Sequence, residues 1–157
     1  MMLTYRLVRL IETHSDALAN GLLQKVQKSS RTEAYCRVPI DELKERVRDI
    51  YLHLGEWLLG KSDADIEQRY TLIGIRRAQQ GVPLSQVIWA IVLTKENLWE
   101  YILSEAAPDR PVEVFGKQEL LQLLNHFFDC AVHATAIGYE WAADKNPAAH
   151  HELHKAG

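Results

Sequence analysis

Arg69–Ile102 reads RYTLIGIRRAQQGVPLSQVIWAIVLTKENLWEYI, and it sets the fold class for the whole chain. Two helical stretches meet in it at a corner, Gly81-Val82-Pro83. Gly81 suits the left-handed residue that closes one helix, and Pro83 suits the first turn of the next, where a missing N–H costs nothing. Nothing in the stretch has the pattern of a catalytic motif.

Outward from this corner the other segments also read as helix, and no run of strictly alternating apolar and polar residues marks a strand. A first segment covers about 3–28, with a candidate break at Thr13-His14-Ser15-Asp16, whose side chains offer N-caps and a T-x-x-D pattern. Residues 29–39, SSRTEAYCRVP, carry no helical stripe and end in a proline that disfavours helical geometry at Val38, so they read as the longest internal linker. A second helix over about 40–59 places Leu43, Val47, Ile50, Leu54 and Trp57 along a narrow apolar seam, with Glu42 four residues before Arg46 for a surface pair. Gly60-Lys61-Ser62-Asp63 supplies a stop and a new N-cap. The third helix, about 64–80, and the fourth, about 83–106, form the corner. A fifth follows Pro108-Asp109-Arg110-Pro111 and runs over about 112–145, a length of ~50 Å at 1.5 Å per residue, until Asn146-Pro147 ends it. The expected fold is an all-α bundle of about five to six helices with a long C-terminal helix. One domain spans 1–146, and 147–157 is a short polar tail containing histidines.

At 157 residues, with 47% hydrophobic residues, the chain is long enough to bury a core without metal or disulfide support. No uncharged run reaches the roughly 18–20 residues of a membrane span, and the N-terminus lacks a secretory signal, so a soluble, cytoplasmic, membrane-free protein is expected. The formal net charge of -3, without a dominant basic block, points away from nucleic acid. The two cysteines, Cys36 and Cys130, form no CxxC pair.

The last helix carries more apolar surface than one partner can cover. Leu120, Leu124, Phe127, Phe128, Ala131, Thr135 and Gly138 lie in an arc of more than half its circumference. Part of that arc is expected to serve the core and part to meet a second copy across a two-fold axis, which makes these seven residues the candidate dimer interface.

Candidate chemistry is sparse. His126, Asp129 and His133 share the polar face of the last helix and read as a solvated face rather than a metal site; no metal or cofactor is expected. His150, His151 and His154 read as a polar tail. His14 falls on the stripe of Leu7, Ile11, Leu18 and Leu22, where a buried ligand role competes with a core hydrogen bond or a helix break. Arg77 and Lys95 sit on apolar faces, and a cation there must snorkel, pair with a carboxylate, for which Glu96 and Glu100 are candidates in the case of Arg77, or bind an anion. Arg77, Lys95 and His14 therefore form the candidate ligand or anion pocket. There is no Gly-rich phosphate loop, GxSxG elbow or Cys–His pairing, and no catalytic residue is assigned.

The arginine pair Arg76-Arg77 upstream of Gly81-x-Pro83, followed by an apolar, Trp-containing helix, resembles the N-terminal sensor domain of RsbRD-type co-antagonist proteins. The likeness covers about 11–139 and is strongest over 67–101. It implies a globin-like domain without haem that dimerises, typically through its last helix, and serves as the input module of bacterial stress-response regulators. Such modules usually precede an effector, often a STAS domain and sometimes a kinase, whereas this sequence ends soon after Trp141 and is expected to be free-standing or excised. The function this implies is a non-enzymatic, homodimeric sensory domain, with a small-molecule ligand and a signalling protein as partners. The alternative is a globin-like carrier of haem or another small ligand, which needs an inward histidine.

Overall fold

The computed structural model describes residues 2–104 and 111–145, which form six α-helices, one 3-10 segment and one π-helical turn. The helices are α1 (Met2–Thr13), α2 (Ser15–Lys28), α3 (Ile40–Leu52), α4 (Asp63–Gln79), α5 (Leu84–Ser104) and α6 (Pro111–Lys145). Among the described residues there is no strand, and no helix is long and apolar enough to cross a membrane. The Pro108–Arg110 connector, the Asn146-Pro147 stop and the tail histidines lie outside the described residues.

The corner forms as its residues dictate. Gly81 takes φ 74°, Gly81 N–H donates to Ala78 O at 3.1 Å and Val82 N–H to Arg77 O at 3.1 Å. These are the two bonds of a Schellman cap, and Val82 behind them is fully buried. The carbonyl of Pro83 accepts from Gln86 N–H at 3.0 Å and Val87 N–H at 3.1 Å, opening α5. Two distant segments fasten the corner: Arg37 Nη1 donates to Gly81 O at 2.6 Å and the Tyr139 hydroxyl to Val82 O at 2.8 Å. At the other end of α4, Ser62 and Asp65 close a reciprocal capping box.

Three segments depart from the sequence pattern. The linker is ordered: Ser30–Arg37 forms 3-10 turns, anchored where the buried Thr32 hydroxyl donates to Val26 O at 2.6 Å. The second helix stops at Leu52, and the chain passes through a π-helical turn, Glu56–Gly60. Just before this turn Gly55 packs against α1: a Cβ there would stand 3.2 Å from Val8 Cγ1. The offset still buries Leu54 and brings Trp57 onto Phe127 at 6.2 Å between ring centroids. The first segment breaks at His14, but no side chain caps α2 there; the Thr13 hydroxyl instead donates back to Arg9 O.

The core is built around α6. Its most extensive partner is α4, and contacts advance in the same direction along both helices, Asp63 to His126, Tyr70 to Phe127 and Gly74 to Thr135 and Tyr139, so they run roughly parallel. They cross backbone to backbone. A Cβ on Gly74 would clash with Thr135 O, and one on Gly138 with Thr71 O. Only glycine permits this approach.

This packing corrects the expected dimer interface. Leu120, Leu124, Phe127, Phe128, Ala131, Thr135 and Gly138 are all buried within the single chain. The wide arc is covered because α1, α4, α5 and the π-helical turn all pack on α6, where the sequence argument allowed for one covering surface. Among the described residues, the large apolar side chains that α6 leaves exposed are Ile137 and Trp141, at 47% and 50%, with Leu72 of α4 at 59%.

Candidate functional site: an arginine-lined cleft between α3 and α4

Arg69, Arg76 and Arg77 recur at i, i+7 and i+8 on α4 and so share the side that faces α3, which contributes Glu42 and Arg46 one turn apart. Together with Leu72 and Ile73 they line a cavity of about 320 Å³. That is the lower end of the size range of small-molecule sites.

Glu42 is the hub. Arg76 grips its carboxylate with Nε and Nη2 at 3.2 and 3.3 Å, and Arg77 Nη1 reaches the same group at 3.2 Å. Gln80 closes the ring, donating to both Glu42 oxygens at 3.1 Å and accepting from Arg77 at 2.7 Å. Arg77 is only 3% exposed and lies over the Tyr35 ring. The Arg76 hydrogen bond, followed by the charges of Arg76 and Arg77, holds the Glu42 carboxyl below its usual range against the opposing effect of burial. Desolvation, with a smaller opposing effect from the Arg77 charge and hydrogen bond, pushes the Tyr35 phenol up to about 12, so it stays neutral beneath the guanidinium.

The remaining two arginines are under-compensated. Arg69 pairs with Asp49 at 3.2 Å, but its Nε is buried without a hydrogen-bond partner. Arg46 makes no hydrogen bond or ion pair among the described residues. Burial, then the charge of Arg69 and to a lesser degree Arg77, depress its pKa against the smaller opposing effects of Tyr70 and Asp49. The lining thus sets four guanidiniums against one carboxylate, and an anion entering between them gains charge-assisted, fork-shaped hydrogen bonds. A second cavity, about 420 Å³, lies under the 3-10 segment and has only Glu33 and Arg37 as charged lining groups.

The expected pocket of Arg77, Lys95 and His14 is not assembled. Arg77 pairs with Glu42 of α3, while Glu100 pairs with Lys25 at 2.6 Å. Lys95 is partly exposed on α5 and is absent from the cleft lining. His14 is exposed at the α1–α2 break, where its Nδ1 contacts Leu10 O at 2.9 Å and the Tyr101 hydroxyl at 3.1 Å. Glu42 turns to α4 rather than to Arg46. Arg46 and Arg69 escaped notice because each looks like an ordinary solvated cation on its own helix; the i, i+7, i+8 recurrence on α4 was the available signal. None of the four described histidines, His14, His53, His126 and His133, is buried, so the haem alternative finds no inward ligand among them.

Fold and site together define an all-helical domain with a small arginine-lined cleft. The chain belongs to the family of the RsbT co-antagonist protein rsbRD N-terminal domain, whose model matches residues 16–153. No curated protein and no solved structure matches it. Membership of that family implies a signalling-protein context.

Proposed function

We propose that this domain is a non-enzymatic, homodimeric sensory module of a bacterial stress-response system, working in the cytoplasm. It binds a small organic or inorganic anion in the arginine cleft and reports occupancy to a signalling protein of the RsbT type. The family supports the signalling context. The observation that carries the ligand reading is the charge imbalance of the cleft among the described residues: Arg46 makes no ion pair, Arg69 Nε has no partner, and Glu42 with the neighbouring Asp49 sets two carboxylates against four guanidiniums.

The cleft also has a route outward. Leu72 lines it and is at the same time exposed, one residue from the point where Thr71 meets Gly138. Ile137 stands next to Gly138 on α6, and Trp141 one turn further. We assign the dimer contact to this Leu72–Ile137–Trp141 surface, so that a shift of α4 on anion binding is felt by the second copy. A signal requires such a differential contact between two states.

Thermal unfolding in citrate, inorganic phosphate and pyrophosphate, each against sodium chloride of equal ionic strength, tests the ligand reading. Wild type should rise in Tm with at least one of these anions, through preferential binding to the folded state. The Arg46→Ala/Arg69→Ala variant should need at least about tenfold more anion for the same rise. An equal response of the two proteins would remove the cleft from the account.

A further inference from the structure

Away from the arginine cleft, the N-terminal turn of α4 and the middle of α6 bring together three different metal-ligating side chains. His126 Nε2 lies 2.9 Å from Asp63 Oδ1 and 3.7 Å from Cys130 Sγ, and all three donor atoms fall within 4.8 Å of one another. The sequence reading paired His126 with Asp129 and His133 along one helix. The fold selects a different set, because α4 runs alongside α6 and presents Asp63 to the His126–Cys130 ridge.

The arrangement has the form of a two-helix ligand set. His126 and Cys130 are one turn apart on α6; Asp63 and Glu67 are one turn apart on α4, and the Glu67 charge acts on Cys130 along with those of Asp63 and Asp129. Side chains at i and i+4 stack on one face of a helix, so two such pairs on adjacent helices converge on a common point. With metal–oxygen and metal–nitrogen bonds of about 2.0 Å and metal–sulfur of about 2.3 Å, neighbouring donors of a tetrahedral ion with one sulfur ligand stand roughly 3.3–3.5 Å apart. The observed spacings bracket that range, and rotation of the exposed Asp63 and His126 side chains covers the difference. The hydrogen bond from His126 to Asp63 already aims the imidazole at the carboxylate with which it would share the ion.

We infer that Asp63, His126 and Cys130 form a surface site for a borderline divalent transition metal of the zinc class, with Glu67 or water as the fourth donor. Mixed sulfur, nitrogen and carboxylate donors select zinc or cobalt over magnesium or calcium. Binding converts the Cys130 thiol to a thiolate, and its proton leaves to solvent. An ion held there bridges α4 to α6 about three turns from their glycine crossing and so stiffens the pair of helices that forms the core.

The full chain carrying Cys36→Ser leaves Cys130 as the sole thiol, which makes the test specific. Titration with Co2+ should give a thiolate-to-cobalt charge-transfer band with tetrahedral ligand-field absorption, saturating at one equivalent and displaced by Zn2+. Zn2+ should slow alkylation of Cys130 at least about tenfold, as expected for a coordinated thiolate. His126→Ala and Asp63→Asn, added singly, should weaken both effects about tenfold or more, while His133→Ala leaves them unchanged. Cobalt bound without a charge-transfer band, with Cys130 alkylated at the same rate in Zn2+, would overturn the site and assign metal uptake to the other histidines.

Discussion

Glu42 carries opposite consequences for stability and for binding, which makes it the most informative single residue. Its folded pKa is depressed, so its ion pairs stabilise the fold fully above the unfolded glutamate pKa of about 4.3 and lose that contribution as pH falls through the lower folded value. Glu42→Gln should therefore lower Tm near neutral pH, and the gap to wild type should close as the pH is taken below about 4. The same substitution releases Arg76 and Arg77, so citrate should bind the variant about two- to fivefold more tightly than wild type, the scale of one exposed-to-half-buried charge pair. Loss of both stability and affinity would mean that Glu42 is scaffold for the ligand rather than its competitor. Arg77 was legible in the sequence as a cation on an apolar face. Its partner was not, because the choice between Glu42 and the carboxylates of α5 depends on which helix lies across α4, and no local pattern encodes that.

At the scale of elements, the parallel α4–α6 crossing fixes both the cleft and the exposed surface. Gly74→Ala and Gly138→Ala each force a methyl group into the backbone of the facing helix, where neither side can yield by rotating a side chain. Each should destabilise by about 2–3 kcal/mol or more, at or beyond the upper end of overpacking costs. Gly60→Ala, with nothing within 4 Å of the added carbon, should be nearly neutral. Urea denaturation of the three variants checks this ordering; equal effects at Gly60 and Gly138 would show that helix propensity, not the crossing, sets the values. The start of α4 and the corner between α4 and α5 could be read from the chain because Ser62, Gly81 and Pro83 act within one turn. The 3-10 segment and the π-helical turn could not, since both are shaped by distant packing: Gly55 against Val8, and Thr32 against Val26.

At the scale of the whole molecule, the all-α class and the long last helix followed from periodicity, but the cover on that helix did not. An apolar arc states how much surface must be buried, and not whether the same chain or another copy buries it. The difference is testable. Phe127→Asp places a carboxylate against Tyr70, Trp57 and Phe128 and should unfold the domain. Ile137→Asp combined with Trp141→Asp should leave it folded and halve its mass in light scattering, whereas a folded double variant of unchanged mass would remove this surface from the interface.

The arginine cleft and the Leu72–Ile137–Trp141 surface are proposed to be coupled through α4. Amide hydrogen exchange of wild-type protein, with and without the anion that gives the largest rise in Tm, measures this coupling directly. Exchange should slow over 42–49 and 69–77, accompanied by a change over 134–143 on α6 that is lost in the Arg46→Ala/Arg69→Ala variant. Protection confined to the cleft, with α6 exchanging as before, would leave a binding site without a signal and contradict the coupling.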